Sequence, residues 1–375
     1  MDNSGAASLV AGYRPGDFLL AGPETTVHAR GGQAVVAETD ADELAGRVAK
    51  LLLDTGAPLA VGALPFLPGA ASHVVIPESA TRAGPAVAPA GVPPRWVPVE
   101  RRSVPSGSAY EAAVSAAVRT LRNGSELRKV VLARTLELDF AAPVDLPGLL
   151  PGLVRANPRG YTFAAELPDT TLVGATPELL LSRRGMTVTA NPLAGTLPRG
   201  ADPAADRANA AALLASAKNL DEHRVVVDAV VETMRPFCTA ISVPERPELI
   251  RTPTVWHLST RVTGTLADPD VSSLRLAAAL HPTPAICGTP TALARDTIAE
   301  LEPFDRGFYS GVVGWCDASG DGEWVVAIRC AEVAGSRMRL FAGAGIMPAS
   351  DPAAELAETS AKFGTLLGAF GIDPV

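Results

Sequence analysis

Apolar and polar residues alternate along this chain in many short runs, and in fewer windows the apolar ones recur every three or four positions. The alternation predicts strands over 17–21, 25–30 and 33–38, with turns at Gly22-Pro23 and Gly31-Gly32. Buried runs predict strands at 61–66 and 73–77, and more strands follow at 129–140, 161–167, 171–175, 179–183, 186–191 and 255–265. Residues 307–316 and 323–333 read as a hairpin about Gly320-Asp321-Gly322, and 337–343 as one further strand. Helical spacing marks 40–54, with Leu44, Val48, Leu51 and Leu52 on one side, and 108–122, stopped by Asn123-Gly124. It also marks 147–156, 204–218, 221–237, 271–280, 291–301 and a last helix opening at Pro352. Residues 1–16 read as a loose arm. The Pro-, Ala- and Gly-rich stretch 81–108 reads as a connection lying over the core, because Trp96 and Val97 fall within it.

Clusters of antiparallel strands interrupted by helix pairs predict an α+β fold, with two packed, mainly antiparallel sheets and helices outside. The length of 375 residues suggests two or three domains, and one large β-rich domain also fits. The 34 Gly and 33 Pro imply many turns, hence short elements. Net charge is −8 with no Lys/Arg run, which argues against nucleic acid or an anionic membrane as partner. There is no basic-then-apolar leader at the start and no run approaching a membrane span. Cys238, Cys287, Cys316 and Cys330 lack metal-site spacing and sit in apolar surroundings. Buried free thiols in a cytoplasmic protein are the expectation.

The densest candidate chemistry lies in 341–363. Small residues at Ala342, Gly343, Ala344 and Gly345 suit close approach of a ligand to the backbone. Ser350 or Asp351 can cap the helix that follows, with Pro352 in its first turn. On that helix Glu355, Glu358 and Lys362 share one face. On helix content alone they suit an exposed Glu–Lys face, and the glycine-rich lead-in shifts the balance toward a divalent cation with an anionic ligand. Lys129 opens an apolar strand as a possible general base or a solvent-facing strand end. Glu178 precedes three leucines, where desolvation would make it a general acid unless it pairs with Arg183 or Arg184. Glu222 suits a cation site or simply a helix start. His257 reads as a core histidine, and Arg329 needs an anion, either a ligand or a structural carboxylate. The Gly195-Thr196 step can offer backbone N–H groups. Nucleotide-loop, serine-hydrolase and zinc-protease motifs are absent.

In order, KVVLAR, GATPELLL, NPLAGT, KNLDEH, VWHL, HPTPAICGTP, GFYSGVVGW, WVVAIRC and the AGAGIMPAS segment with its Glu355, Glu358 and Lys362 helix resemble the chorismate-utilising enzyme family. The blocks run from Lys129 to the C-terminus, within 106–375; residues 1–105 match only in strand pattern. The resemblance implies one chorismate-binding domain over 1–375, with the fold of anthranilate synthase component I, acting as a monomer on the small molecule chorismate. Within the family the chain most resembles the isochorismate synthases. That implies an isomerase in which Lys129 activates the water that attacks C2 and Glu178 protonates the departing C4 hydroxyl. It also implies Mg²⁺ on Glu222 and Glu358 with Glu355 in or just behind that shell. Arg329 and Tyr309 would take the enolpyruvyl carboxylate; Lys362, Gly343, Gly195 and Thr196 would help hold substrate carboxylate. His257, Ala285 and Ile286 would lie against the ring. Lys129 stands where ammonia-using relatives carry Gln, and Ala194 where aminodeoxychorismate-forming relatives carry Lys. Salicylate synthesis, with pyruvate elimination, is the alternative, and a non-catalytic binding protein on the same scaffold is a third. The downstream pathway stays open between siderophore, menaquinone and antibiotic.

Overall fold

The computed structural model describes residues 4–90, 95–252 and 254–373. Period-two runs become strands of two antiparallel sheets stacked face to face. The first sheet runs Gly288–Thr289, Lys129–Asp139, Arg337–Ile346, Cys330–Ala334, Thr171–Thr176, Tyr161–Glu166, Phe18–Ala21, Thr26–Arg30 and Ser79–Ala83, with Glu100–Val104 also paired to Lys129–Asp139. The second runs Cys238–Ser242, Val262–Leu266, Thr187–Asn191, Leu179–Arg184, Gly322–Val326, Val312–Cys316, Ala60–Leu64, His73–Ile76 and Ala34–Val36. A small third sheet joins Leu193–Pro198, Val255–Ser259 and Glu248–Arg251.

Alternation decides which layer each side chain enters. Phe18 and Leu20 pack between the sheets while Leu19 and Ala21 pack outward. On the facing sheet Val313, Trp315, Val325 and Ala327 point inward, and Val312, Cys316, Trp324 and Val326 outward. Ala41–Thr55, Ala217–Met234 and Ser273–Leu280 cover the second sheet, and Ser4–Ala11, Leu146–Ala156 and Pro352–Ala369 the first. Gly107–Arg122 and Thr291–Leu301 close the end beside Lys129–Asp139. Full burial of each large apolar side chain in these layers stabilises by about 1.5–3 kcal/mol.

The expected α+β sandwich is found, and several elements differ from expectation. Residues 4–11 form a helix, not a loose arm, with Ala6 and Val10 buried. The 81–108 connection holds the strands Ser79–Ala83 and Glu100–Val104, whose exposed polar faces hide the alternation; residues 91–94 lie outside the described set. The 255–265 strand is two, turned between Ser259 and Val262. Strands Leu193–Pro198, Cys238–Ser242 and Glu248–Arg251 were not foreseen. The helix expected to begin at Asp221 starts at Ala217, capped by Ser216.

The difference that matters most lies in 323–333. This segment is not one hairpin arm. Gly322–Val326 belongs to the second sheet and Cys330–Ala334 to the first, and the chain crosses between them with Arg329 at φ 50°. A second crossing runs beside it, from Thr171–Thr176 in the first sheet through Pro177 and Glu178 to Leu179–Arg184 in the second. Two hydrogen bonds lace the crossings: Ala175 N–H to the Arg329 carbonyl at 2.9 Å and Val326 N–H to the Glu178 carbonyl at 3.1 Å. A period-two pattern carries no mark of a change of sheet.

Candidate active site

The two crossings open onto a cavity enclosing about 730 Å³ of empty space, part of it open to solvent. Its walls include Lys129 and Val131 from the strand Lys129–Asp139, Glu178 and Arg329 from the crossings, and Ala342, Gly343 and Gly345 from Arg337–Ile346. Leu193 to Thr196, Glu222, His257, Ala285, Ile286, Tyr309, Glu358 and Lys362 complete it. Every residue expected at the site lines this cavity except Glu355.

Lys129 is 2% exposed, so it is no solvent-facing strand end. Its Nζ donates to Glu222 Oε1 at 2.8 Å. Glu222 lies beyond the first turn of its helix, where the terminal dipole has faded, so helix-start preference does not account for it. Across the cavity Glu178 is 3% exposed. Burial pushes its carboxyl up to about 8, although the Leu193 N–H and the Lys129 charge pull the other way. At neutral pH it is therefore a protonated acid. Neither nearby arginine pairs with it: Arg184 faces Glu323, and Arg183 is held by the Ser319 and Pro269 carbonyls.

Arg329 makes no direct ion pair among the described residues. Its Nη2 donates to His257 Nε2 at 3.3 Å, and His257 Nδ1 meets Thr196 Oγ1 at 2.9 Å. Burial, with Arg329 and Lys362 nearby, holds the imidazole well below its usual range. His257 is thus neutral, accepting at Nε2 and donating at Nδ1, and it aims the guanidinium. Thr196 sits on the strand Leu193–Pro198 next to a register shift at Gly195, φ 76°, where a Cβ would come within 3.1 Å of Asn219. Lys362 Nζ donates to Glu358 Oε1 at 2.7 Å and to the Gly343 carbonyl at 2.6 Å. Burial raises Glu358, but Lys362, then Arg329 and Lys218, more than offset this and keep it ionised. The cap of this helix is Asp351, which accepts from Ala354 N–H.

The small residues of the AGAG segment make room for these groups. A Cβ at Gly345 would lie 2.9 Å from Glu222 Oε1 and 3.0 Å from Lys129 Cε, and one at Gly343 2.9 Å from the Tyr309 hydroxyl. Tyr309 stacks on Phe341 at 4.6 Å.

The charged walls comprise three cations (Lys129, Arg329, Lys362) and two carboxylates (Glu222, Glu358), with Glu178 neutral, for a balance of 3 − 2 = +1. A dicarboxylate ligand would bring this to −1 and a divalent cation would return it to +1. Glu222 and Glu358 each give one oxygen to a lysine. Two carboxylates with water and ligand oxygens match what Mg²⁺ accepts. Glu355 is buried behind Glu358, hydrogen-bonded by Ser350, and is not a cavity wall. Among the described residues no group of three or more His, Cys, Asp or Glu is placed to hold a metal.

Sequence reasoning missed the pair that anchors this cavity from behind. Glu302 and Arg306, both buried, join through Nε–Oε2 at 2.8 Å and Nη2–Oε1 at 2.5 Å. Arg306 also donates to the Ile286 and Val131 carbonyls, and Glu302 accepts the Ala133 N–H. The pair therefore pins the Ala285-Ile286 wall to the strand bearing Lys129. Its i,i+4 spacing was the available signal. Arg306→Leu is expected to destabilise the fold by about 3–5 kcal/mol, because Glu302 is left buried and unpaired. Urea unfolding checks this; a loss below about 1 kcal/mol, as for a surface pair, would show the pair to be idle.

Comparison with known proteins adds a second line. The profile of the family described as "Chorismate binding enzyme" matches residues 88–371. Isochorismate synthase DhbC of Bacillus subtilis is 46% identical over 388 aligned residues, covering 99% of this chain and 97% of that protein. The crystal structure of DhbC from Bacillus anthracis superposes with a TM-score of 0.93 at 42% identity, covering 98% of this chain and all of that one. MenF, the menaquinone-specific isochorismate synthase of Escherichia coli, superposes at 0.85 with 25% identity, over 97% of this chain and 91% of its own.

Proposed function

This chain belongs to the family of chorismate-binding enzymes, and on that premise we propose that it is an isochorismate synthase, an isomerase that adds water at C2 of chorismate and releases the C4 hydroxyl. One observation carries the reading: a buried amine, Lys129 at the start of a strand, and a protonated carboxyl, Glu178 in a crossing between the sheets, line the same cavity. The Lys129 amine takes a proton from the water that attacks C2. Glu178 gives its proton to the C4 oxygen as that bond breaks. Return of the two protons resets the pair, and in the reverse direction the two residues exchange roles. Arg329, aimed by His257, and Tyr309 take the enolpyruvyl carboxylate. Lys362, with the Gly343 backbone and the Gly195-Thr196 step, faces substrate carboxylate, while Ala285 and Ile286 lie against the ring. Glu222 and Glu358 would hold Mg²⁺, which when bound neutralises the ring carboxylate. The charge balance of the walls supports that assignment, since a dicarboxylate alone would leave the cavity negative. The curated relatives support isochorismate as end product rather than salicylate.

The test is chromatography of the products after incubation with chorismate and Mg²⁺. Isochorismate without pyruvate is expected, with turnover lost on adding EDTA and regained with excess Mg²⁺. Stoichiometric pyruvate would move the assignment to salicylate synthesis. Tight chorismate binding without product at any pH would reduce the chain to a binding protein.

A further inference from the structure

On the far side of the helix Pro352–Ala369 lies another buried cation. Arg134, on the strand Lys129–Asp139, is 6% exposed. Its Nε donates to Thr359 Oγ1 at 2.8 Å and its Nη2 to Ser360 Oγ at 2.5 Å; contacts to Ser103 Oγ and the Leu356 carbonyl are long, at 3.5 Å. The Phe363 ring lies 5.0 Å from the guanidinium carbon and the Tyr110 ring 5.9 Å. Among the described residues no carboxylate pairs with Arg134. Arg306, more deeply buried, has Glu302, and a guanidinium taken out of water without an opposite charge is strongly disfavoured. The hydroxyls that hold Arg134 solvate its donors but supply no charge.

The guanidinium is also not sealed in. With Ser360 it lines a cavity of about 770 Å³ of empty space, part of it open to solvent, within the range of small-molecule sites. Leu136, Phe363 and Leu367 give the cavity its apolar lining, and the exposed Arg101 also borders it. The Nε–Nη2 edge of the guanidinium is taken by Thr359 and Ser360, which leaves the Nη1–Nη2 end, with only the two 3.5 Å contacts, to meet a planar carboxylate, and the body is hydrophobic. Glu358 and Lys362 line the catalytic cavity from the same helix, whereas Ser360, Phe363 and Gly364 line this one.

We propose that this second cavity binds a small carboxylate with an apolar remainder, the carboxyl on the Nη1–Nη2 end of Arg134 and the remainder against Leu136, Phe363 and Leu367; the Ser360 hydroxyl is already given to the Leu356 carbonyl. The site is separate from the catalytic cavity and does not depend on the reaction assigned there.

Benzoate is the probe, titrated calorimetrically into the full-length protein, with inorganic phosphate as the comparison. One saturable benzoate per chain is expected, with phosphate binding more weakly. Gly364→Leu is the decisive variant. A Cβ at Gly364 meets nothing within 4 Å, so the side chain enters the cavity without a clash and the helix gains a better former. It should weaken benzoate at least about tenfold, the equivalent of 1.4 kcal/mol, and leave chorismate turnover unchanged. Arg134→Lys should weaken benzoate similarly while Gly364→Leu guards against a folding artefact. Benzoate binding that Gly364→Leu leaves intact, that chorismate displaces, or that never saturates would overturn the proposal. Phosphate binding as tightly as benzoate would overturn the carboxylate class.

Discussion

Glu178→Gln is expected to slow chorismate turnover by about 10²–10⁴-fold, the range a positioned general acid contributes. The amide fills the same space and can still accept the Leu193 N–H, so the fold and chorismate affinity should change little. The loss should fall on kcat. In the wild type the pH dependence carries a sign fixed by burial. Glu178 titrates at about 8, so the protonated, active acid predominates at neutral pH. Above about 8 forward kcat should fall about tenfold per pH unit as the carboxylate form takes over. Initial rates from pH 6 to 10 on wild type and Glu178→Gln check both points. The variant's residual activity should lack the alkaline limb. A wild-type profile flat to pH 10, or a variant within about threefold of wild type, would remove Glu178 from the acid's role.

Lys129→Gln should cost a similar factor for the opposite reason. Its amide cannot take a proton from water, and Glu222 loses the ammonium that sits 2.8 Å from it. Chorismate binding should survive in part, because Arg329 and Lys362 remain. The informative measurement is the double variant Lys129→Gln/Glu178→Gln. Groups that serve one concerted displacement are strongly non-additive, so the double variant should be little slower than either single one. Losses that multiply would mean that the two residues act in separate steps, and full activity in Lys129→Gln alone would end the proposal.

The strands, the sandwich and the acidic helix were legible because each leaves a periodic trace. Lys129–Asp139 alternates, and Asp351-Pro352 announces the final helix. Individual chemistry was legible where a charged residue interrupts an apolar run, as at Lys129, Glu178 and Arg329. Arg329 was expected in a strand and lies in a crossing, because local pattern records burial and not the sheet a strand joins. Glu355 shares a helical face with Glu358 but is turned into protein, a distinction of one residue that spacing cannot make. The Glu302–Arg306 pair was invisible as architecture, because its partners at Val131, Ala133 and Ile286 are distant in sequence. Arg134, inside the KVVLAR block, read as one more strand residue.

The paired crossings have a bearing on how such a scaffold diversifies. Because Glu178 and Arg329 both ride on the seam, while Lys129 sits on one slab, their separation is set by the stacking distance of the slabs, on the order of 10 Å. Random mutagenesis selecting faster or slower variants should therefore find many hits in the layer between the sheets, at positions such as Phe163 or Val325, which are not walls of the cavity. A change of head group at position 129, by contrast, would leave the seam and its spacing as they are.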